Sequence, residues 1–374
     1  MISKHCRKFA GLTLAVSLAS VPMLNLFQST PSSAGTAPNL TAAQQAVTRA
    51  EKIPTTIGVT TPLKTKPVPG KTIVFLGIAN GSVAYDIQGM EAAAKAIGWN
   101  VKVIGYDQTN VATLISAFNE ALLYHPVAVT LTGISESLWQ SVIPEYRKAG
   151  VSILPNCDPT PLNSVIIANI CGTSDFSTMG EILANWFILN SGGTGQAILP
   201  LTPDFPILNA LGLSFQAYVS ANCSTCSVQT VTATLDQAVT GAITQQLVTA
   251  IQSNPSINYA IVPFSAFVPG LPSALNAAGL TGKVKIALGG PLAQDLTNLR
   301  QGTVSAVVTL ADSYQGWLDV DVTLRHMQGI KYSITDGGLP IQLLTPTSKF
   351  SLSAVNYTEP KDFPKLFKKL WKLG

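Results

Sequence analysis

Acid–base and nucleophilic chemistry is what this sequence has least of. Its 374 residues include only 3 histidines, and charged residues make up 11%. His125 stands before a proline and His326 falls in an expected helix, each isolated, so neither a Ser-His-acid order nor a metal-ligating set can be assembled. No catalytic residue, metal or cofactor is therefore expected. The glycine-rich stretch Ser191-Gly-Gly-Thr-Gly195 lacks the lysine of a phosphate loop and follows a helix, which makes it a turn into the next strand. The formal charge of +4 comes from the ends: Lys4, Arg7 and Lys8 at one, and five lysines against Asp362 at the other. The body between is about three units negative, and without a basic face nucleic acid is excluded as a partner.

Long apolar runs are equally scarce. Phe9 to about Phe27 is the one acid-free apolar stretch, and Thr13, Ser17, Ser20 and Pro22 interrupt it. Three basic residues precede it and Ser32-Ser33-Ala34-Gly35-Thr36-Ala37 follows, the pattern of a secretory signal peptide over residues 1–37, cut after Ala34 or Ala37. Cys6 lies before the apolar core, so a lipid-anchoring cysteine is not expected at the junction. The remaining chain is expected to be soluble and extracytoplasmic, in the periplasm or cell wall. At roughly 340 residues it exceeds what one core usually organises, and two domains are expected.

Four cysteines remain, Cys157, Cys171, Cys223 and Cys226, and an even number in an exported chain reads as disulfides. Sequence proximity suggests Cys157 with Cys171 and Cys223 with Cys226. A zinc site at Cys223-Ser-Thr-Cys226 would need two further ligands that the isolated histidines do not supply. A thioredoxin-type motif would open a helix, whereas this one sits in a polar turn between a helix and a strand.

Residues 38–70 are rich in Thr, Pro and Ala, with one helix-compatible piece from Thr41 to Lys52, and read as an extension packed on or trailing from the first lobe. From Lys71 short apolar runs alternate with helical spacing: strands at 71–78, 100–106, 127–132 and 151–154, helices at 83–97, 110–124 and 136–148. Gly98 and Gly150 fall where helices end. After Pro155-Asn-Cys-Asp-Pro-Thr-Pro161 and a strand at 164–169, a second series follows, including helices at 177–189, 206–219 and 239–253 and strands at 196–201, 227–233, 258–263, 284–288 and 304–309. Asp204 and Pro206 suit a helix start. The fold class expected is α/β, two doubly wound parallel-sheet lobes: 71–160 plus 311–344 as lobe 1, and 161–310 as lobe 2. Residues 345–374 form a tail whose basic, amphipathic end, Lys365 to Lys372, reads as a helix packed on a lobe, with an anionic membrane as the other reading.

In this order of elements the chain resembles the type I periplasmic-binding-protein family, the ribose- and sugar-binding group. The resemblance rests on Ile78-Ala-Asn-Gly-Ser82 after the first strand, Gly98-Trp99, Asp107, and Gly302-Thr-Val-Ser-Ala-Val-Val with Gln315-Gly316, and covers about Lys71 to Leu344. It implies a three-crossing hinge, with candidates at Pro161–Ser164, Leu310–Asp312 and Leu344–Pro346, a small molecule held between the lobes of a monomer, and an ABC permease as partner. A binding protein reporting to a sensor is the alternative role. Tails like 361–374 are similar to those of actinobacterial members.

Set against sugar binders of that family, the polar contact positions look replaced. The Asp-Arg pair expected after the fourth strand aligns with Pro155-Asn156, an Asn with Phe176, an Arg with Asn209, and an Asn-Asp pair with Phe264-Ser265. The Asp of Gly-x-Asp-Gly becomes Gly290, the hinge Gln becomes Leu310, and an aromatic pair becomes Ser82-Val83. Phe176, Phe264, Phe267 and Trp317 offer ring faces, and unpaired sugar hydroxyls would each cost about 1–3 kcal/mol there. The expected ligand is therefore apolar or aromatic, oriented by Asn80, Asn156 and Asn209, with Tyr85 and Asp86 beside the cleft loop. A sugar bound through divergent contacts is the alternative.

Overall fold

The computed structural model describes residues 38–77, 81, 83–107, 110–331, 338–350 and 360–374, all within one compact unit. The expected signal peptide, Asn80 and Ser82 lie outside the described residues.

The chain enters as α1 (Leu40–Ala50), capped by Asn39, whose side chain accepts from the Ala42 N–H at 2.9 Å. The first lobe then builds from β1 (Thr72–Leu76), α2 (Val83–Ala96), β2 (Asn100–Ile104), α3 (Val111–Leu122), β3 (Ala128–Thr132), two 3-10 turns, α4 (Ile143–Ala149) and β4 (Ser152–Asn156). The apolar run of β1 is buried from Ile73 to Leu76, as a central strand covered on both faces requires. All four strands are parallel, in the order β2-β1-β3-β4. Gly150, left-handed at φ 66°, closes α4.

A second lobe follows: α5 (Thr173–Asn190), β5 (Gln196–Leu201), α6 (Pro206–Asn222), β6 (Ser227–Thr232), α7 (Leu235–Thr240), α8 (Ala242–Ser253), β7 (Tyr259–Val262), α9 (Leu271–Ala277), β8 (Lys285–Gly289), α10 (Ala293–Arg300) and β9 (Ala306–Val308). Then α11 (Asp312–Met327) returns to the first lobe against α2, and β10 (Leu343–Leu344) and α12 (Phe363–Leu370) complete the chain. The second sheet runs β10-β9-β8-β7-β5-β6, with only β10 antiparallel.

Four sequence expectations are corrected. Residues 164–169 make a single bridge, Ile153 with Ile166, rather than a strand. The helix expected over 239–253 is split by Gly241 at φ 75°. Of the 311–344 segment placed in lobe 1, Leu343 and Leu344 instead pair with Val308 and Val307 in the second sheet, so the third crossing precedes Gly338 rather than lying at 344–346. The Gly338 and Leu339 N–H groups already donate to Asp175 at the start of α5. The extension is also not confined to the first lobe. Helix α1 packs on α5 of the second lobe, and the chain then crosses to the first, where Ile57 and Leu63 are buried and the Leu63 N–H donates to the Leu370 carbonyl at 2.9 Å.

Two glycine-mediated helix crossings set the geometry of the lobes. A Cβ on Gly316 of α11 would lie 2.2 Å from the Asp86 carbonyl oxygen, and one on Gly89 of α2 would lie 2.1 Å from that of Ser313. In the second lobe a Cβ on Gly180 of α5 would lie 2.4 Å from the Leu211 carbonyl oxygen of α6. Backbones this close leave no room for any side chain.

Helix α11 is buried continuously from Tyr314 to Arg325 because α12 covers its outer face. Trp371 stacks on Trp317 with centroids 5.3 Å apart, and its indole N–H donates to Asp321 at 2.7 Å. Asp321 is itself ion-paired to the buried Arg325 at 2.6 Å. The tail is thus a helix packed on a lobe, with its aromatic face inward. Among the described residues no helix is long and apolar enough to cross a membrane. Both cysteine pairs are bonded: Cys157–Cys171 closes the first crossing between the lobes, and Cys223–Cys226 joins the end of α6 to β6.

Two substitutions test this packing by urea denaturation. Gly316→Ala should lower unfolding free energy by about 3 kcal/mol, because backbone rather than a flexible side chain must yield. Trp371→Ala should cost about 3–5 kcal/mol through the cavity left on Trp317.

Candidate functional site

In each lobe the strand order reverses direction between two neighbouring strands, β1 and β3 in the first and β5 and β7 in the second. Loops leaving the carboxyl ends at such a point diverge and open a crevice. Here the two crevices contribute to one cavity of about 360 Å³, a size suited to a small molecule. The first lobe lines it with Gly81, Val83 and Asp86 after β1, Thr132, Gly133 and Ser135 after β3, Cys157 and Asp158 after β4, and Asp312 and Gln315 of α11. The second lobe supplies Phe176, the stretch from Asp204 to Leu208, Phe264, Ala266 and Phe267, Leu292, and Leu310 at the second crossing.

The second lobe's wall is aromatic. Phe267 meets Phe205 with centroids 4.8 Å apart and Phe264 edge-on at 5.4 Å, and all three rings keep part of their surface exposed. Asp295, in the first turn of α10, accepts from the Ser265 hydroxyl and from the Leu292 N–H at 2.8 Å, which ties the Phe264–Phe267 turn to α10. Gly290 supports the same turn from behind. At φ 52°, its missing Cβ would lie 2.7 Å from the Phe264 ring.

Facing this wall, the first lobe's surface is polar and acidic. Asp86 is 2% exposed; its Oδ2 accepts from Gln315 Nε2 at 2.7 Å and from the Thr132 hydroxyl at 3.2 Å, while Oδ1 has no hydrogen-bond partner among the described residues. Burial pushes the Asp86 carboxyl up to about 7 against the pull of those two donors. Asp312 is held well above the usual carboxylate range by burial and then by the Asp86 charge, and Asp319, deeper in α11, by the same two causes. Burial also raises Asp158. The cavity's described lining contains no Lys, Arg or His.

Of the residues singled out from sequence, Val83, Asp86, Phe176, Phe264, Phe267 and Leu310 line this cavity. Tyr85, Asn156, Asn209 and Gly290 do not. Asn156 is wholly buried inside β4 and donates to both oxygens of Asp319, at 2.8 and 2.9 Å. The strand runs two residues further than its apolar run suggests, so the position that enters the cleft is Asp158. Asn209 sits one residue past the lining turn of α6, and its Oδ1 is buried without a partner among the described residues. The Tyr85 carbonyl accepts from Ser313, part of the α2–α11 contact. Trp317 faces α12, not the cleft. Asp204 lines the cleft one residue ahead of the α6 N-cap position, Phe205. Thr132 and Ser135 carry no sequence signal of their own, whereas Asp312 ends the hinge candidate Leu310–Asp312 and Gln315 belongs to a stretch that carries the resemblance. The first lobe's side of the cavity is therefore more polar than the sequence comparison implies, and Asp204 adds an acid on the second lobe's side.

Buried acids make stability depend on pH in a defined direction. For Asp86, folded near 7 against an ordinary 3.8, the native state holds the extra proton between these values, so its contribution to stability is full below about pH 4 and is lost as pH rises through about 7. Asp312 and Asp319 act with the same sign. The melting temperature should therefore fall between pH 5 and pH 8, and Asp86→Asn should reduce that fall.

No curated protein matches the chain. Among solved structures, it is similar to an ABC transporter solute-binding protein from Agrobacterium vitis bound with α-D-tagatopyranose. The TM-score is 0.66 and the identity 17%, covering 78% of this chain and 100% of that one. A solute-binding protein from Burkholderia graminis in complex with D-arabinose gives 0.66 and 18%, over 77% and 100%. The arabinose ABC transporter's binding protein from Shewanella sp. ANA-3 gives 0.63 and 17%, over 81% and 96%. At these identities the likeness is one of fold. Residues 73–331 match the periplasmic binding protein domain, and with more than half of its length so matched, the chain belongs to the periplasmic-binding-protein family of type I fold.

Proposed function

We propose that this chain is the extracytoplasmic solute receptor of an ABC-type importer, exported by the segment 1–37 and working as a monomer, and that its ligand is more apolar than a free sugar. The carrying observation is the ring wall of Phe205, Phe264 and Phe267, which offers π-faces and no hydrogen-bonding group. A sugar laid on it would leave hydroxyls unpaired at about 1–3 kcal/mol each, whereas an aromatic or alicyclic body gains by burial. The structural neighbours, one solute-binding protein bound with tagatose and one in complex with arabinose, support the receptor role.

A pentose or hexose held by divergent contacts is the second reading, and the polar surface of Asp86, Thr132, Ser135 and Asp158 favours it. Thermal-shift screening followed by calorimetry separates the two. Aromatic and terpenoid compounds should raise the melting temperature, and ribose, glucose, arabinose and tagatose should not; the reverse pattern rejects the apolar reading and leaves the receptor role standing.

A further inference from the structure

The two walls of the cleft differ in kind, and the difference specifies a ligand class. On one side stand three aromatic rings. On the other, Asp86 and Asp312 both line the cavity, as do Asp158 and, from the second lobe, Asp204, while Asp319 lies deeper on α11, where burial and then the Asp86 charge raise it as they raise Asp312. Asp86 lines the cavity and carries a second carboxylate oxygen that is buried and has no partner among the described residues. The described lining holds no basic side chain to balance any of these acids. Asp86 and Asp312 each lie in the first turn of a helix, α2 or α11, whose N-terminus supplies roughly half a positive charge, so together the helix ends offset about one negative charge of the four acids in the lining. A neutral donor would satisfy the open oxygen but leave the remaining charge. A proton or a cation removes it.

Resting on the receptor reading above, we propose that the cleft takes an amphipathic organic cation, its ammonium seated against Asp86 and Asp312 and its apolar body against Phe205, Phe264 and Phe267. An organic cation rather than a metal fits because, among the described residues, no group of three His, Cys, Asp or Glu side chains is gathered to hold one. In the empty cleft a proton shared by the acids serves the same end, and the incoming ammonium displaces it to solvent. Binding therefore releases a proton and tightens as pH rises.

The test is calorimetry on the mature, disulfide-bonded protein with matched probes: 2-phenylethylamine and 4-phenylbutylamine, against 2-phenylethanol and 4-phenylbutanol, which share the apolar body without the charge. The amines should bind at least about tenfold more tightly than the alcohols near pH 8, an ordinary margin for one charge-assisted contact. Their affinity should fall about tenfold or more towards pH 5, and the measured heat should vary with buffer ionisation enthalpy as proton release requires. Asp86→Asn and Asp312→Asn, each checked for native circular dichroism, should abolish the preference for amine over alcohol. Equal binding of amines and alcohols by the wild type overturns the cation and leaves the apolar reading intact. Binding of arabinose or tagatose with neither probe class overturns both, and failure of every amine to bind overturns the cation whatever the alcohols do.

Discussion

The contact on which the rest of the site depends is the crossing of α2 and α11 through Gly89 and Gly316. Because the two backbones touch, Asp86 on one helix and Asp312 and Gln315 on the other arrive at the same part of the cleft. The Gln315 side chain then reaches Asp86 at 2.7 Å. A wider crossing would admit solvent between the helices and let the acids relax apart. The acidic surface is thus a product of helix packing, and its abnormal protonation follows from burial that this packing enforces.

The outer covering of α11 belongs to the same construction. A helix this thoroughly buried needs apolar neighbours on its solvent side, and Phe363, Phe367 and Trp371 of α12 provide them. Asp321 and Arg325, which would be costly to bury singly, are buried as a pair with the Trp371 indole as an additional donor. The C-terminal helix therefore acts on the binding surface at one remove, by holding in place the helix that carries Asp312 and Gln315.

Much of this architecture was legible in the sequence. Alternation of short apolar runs with helical spacing located nearly every strand and helix, since a parallel sheet covered on both faces leaves that mark on its strands. Chain proximity was enough to pair Cys157 with Cys171 and Cys223 with Cys226, because each pair spans a single turn or crossing. The aromatic wall was legible at Phe264 and Phe267 because aromatic residues directly after a strand stand out against the polar residues expected there. What was not legible depended on distant parts of the chain. Asn156 looked like a ligand contact because its partner, Asp319, lies 163 residues away. Trp317 looked like a cleft residue because nothing local announces that Trp371 covers it. A two-residue error in the end of β4 hid Asp158 and made the cleft look uniformly apolar.

The extension ahead of β1 gives the two lobes a further covalent link. Helix α1 grips α5 of the second lobe, while Lys64 donates to the carbonyls of Gln328 and Gly329, and the Trp99 indole to that of Val68, on the first. The short span between, near Glu51, is also fastened to the second lobe, where Gln342 beside β10 donates to the Glu51 carbonyl at 2.8 Å. Rotation of one lobe against the other must strain or slacken this strap as well as bend the hinge. The strap carries this load at residues 51–56, none of which lines the cavity.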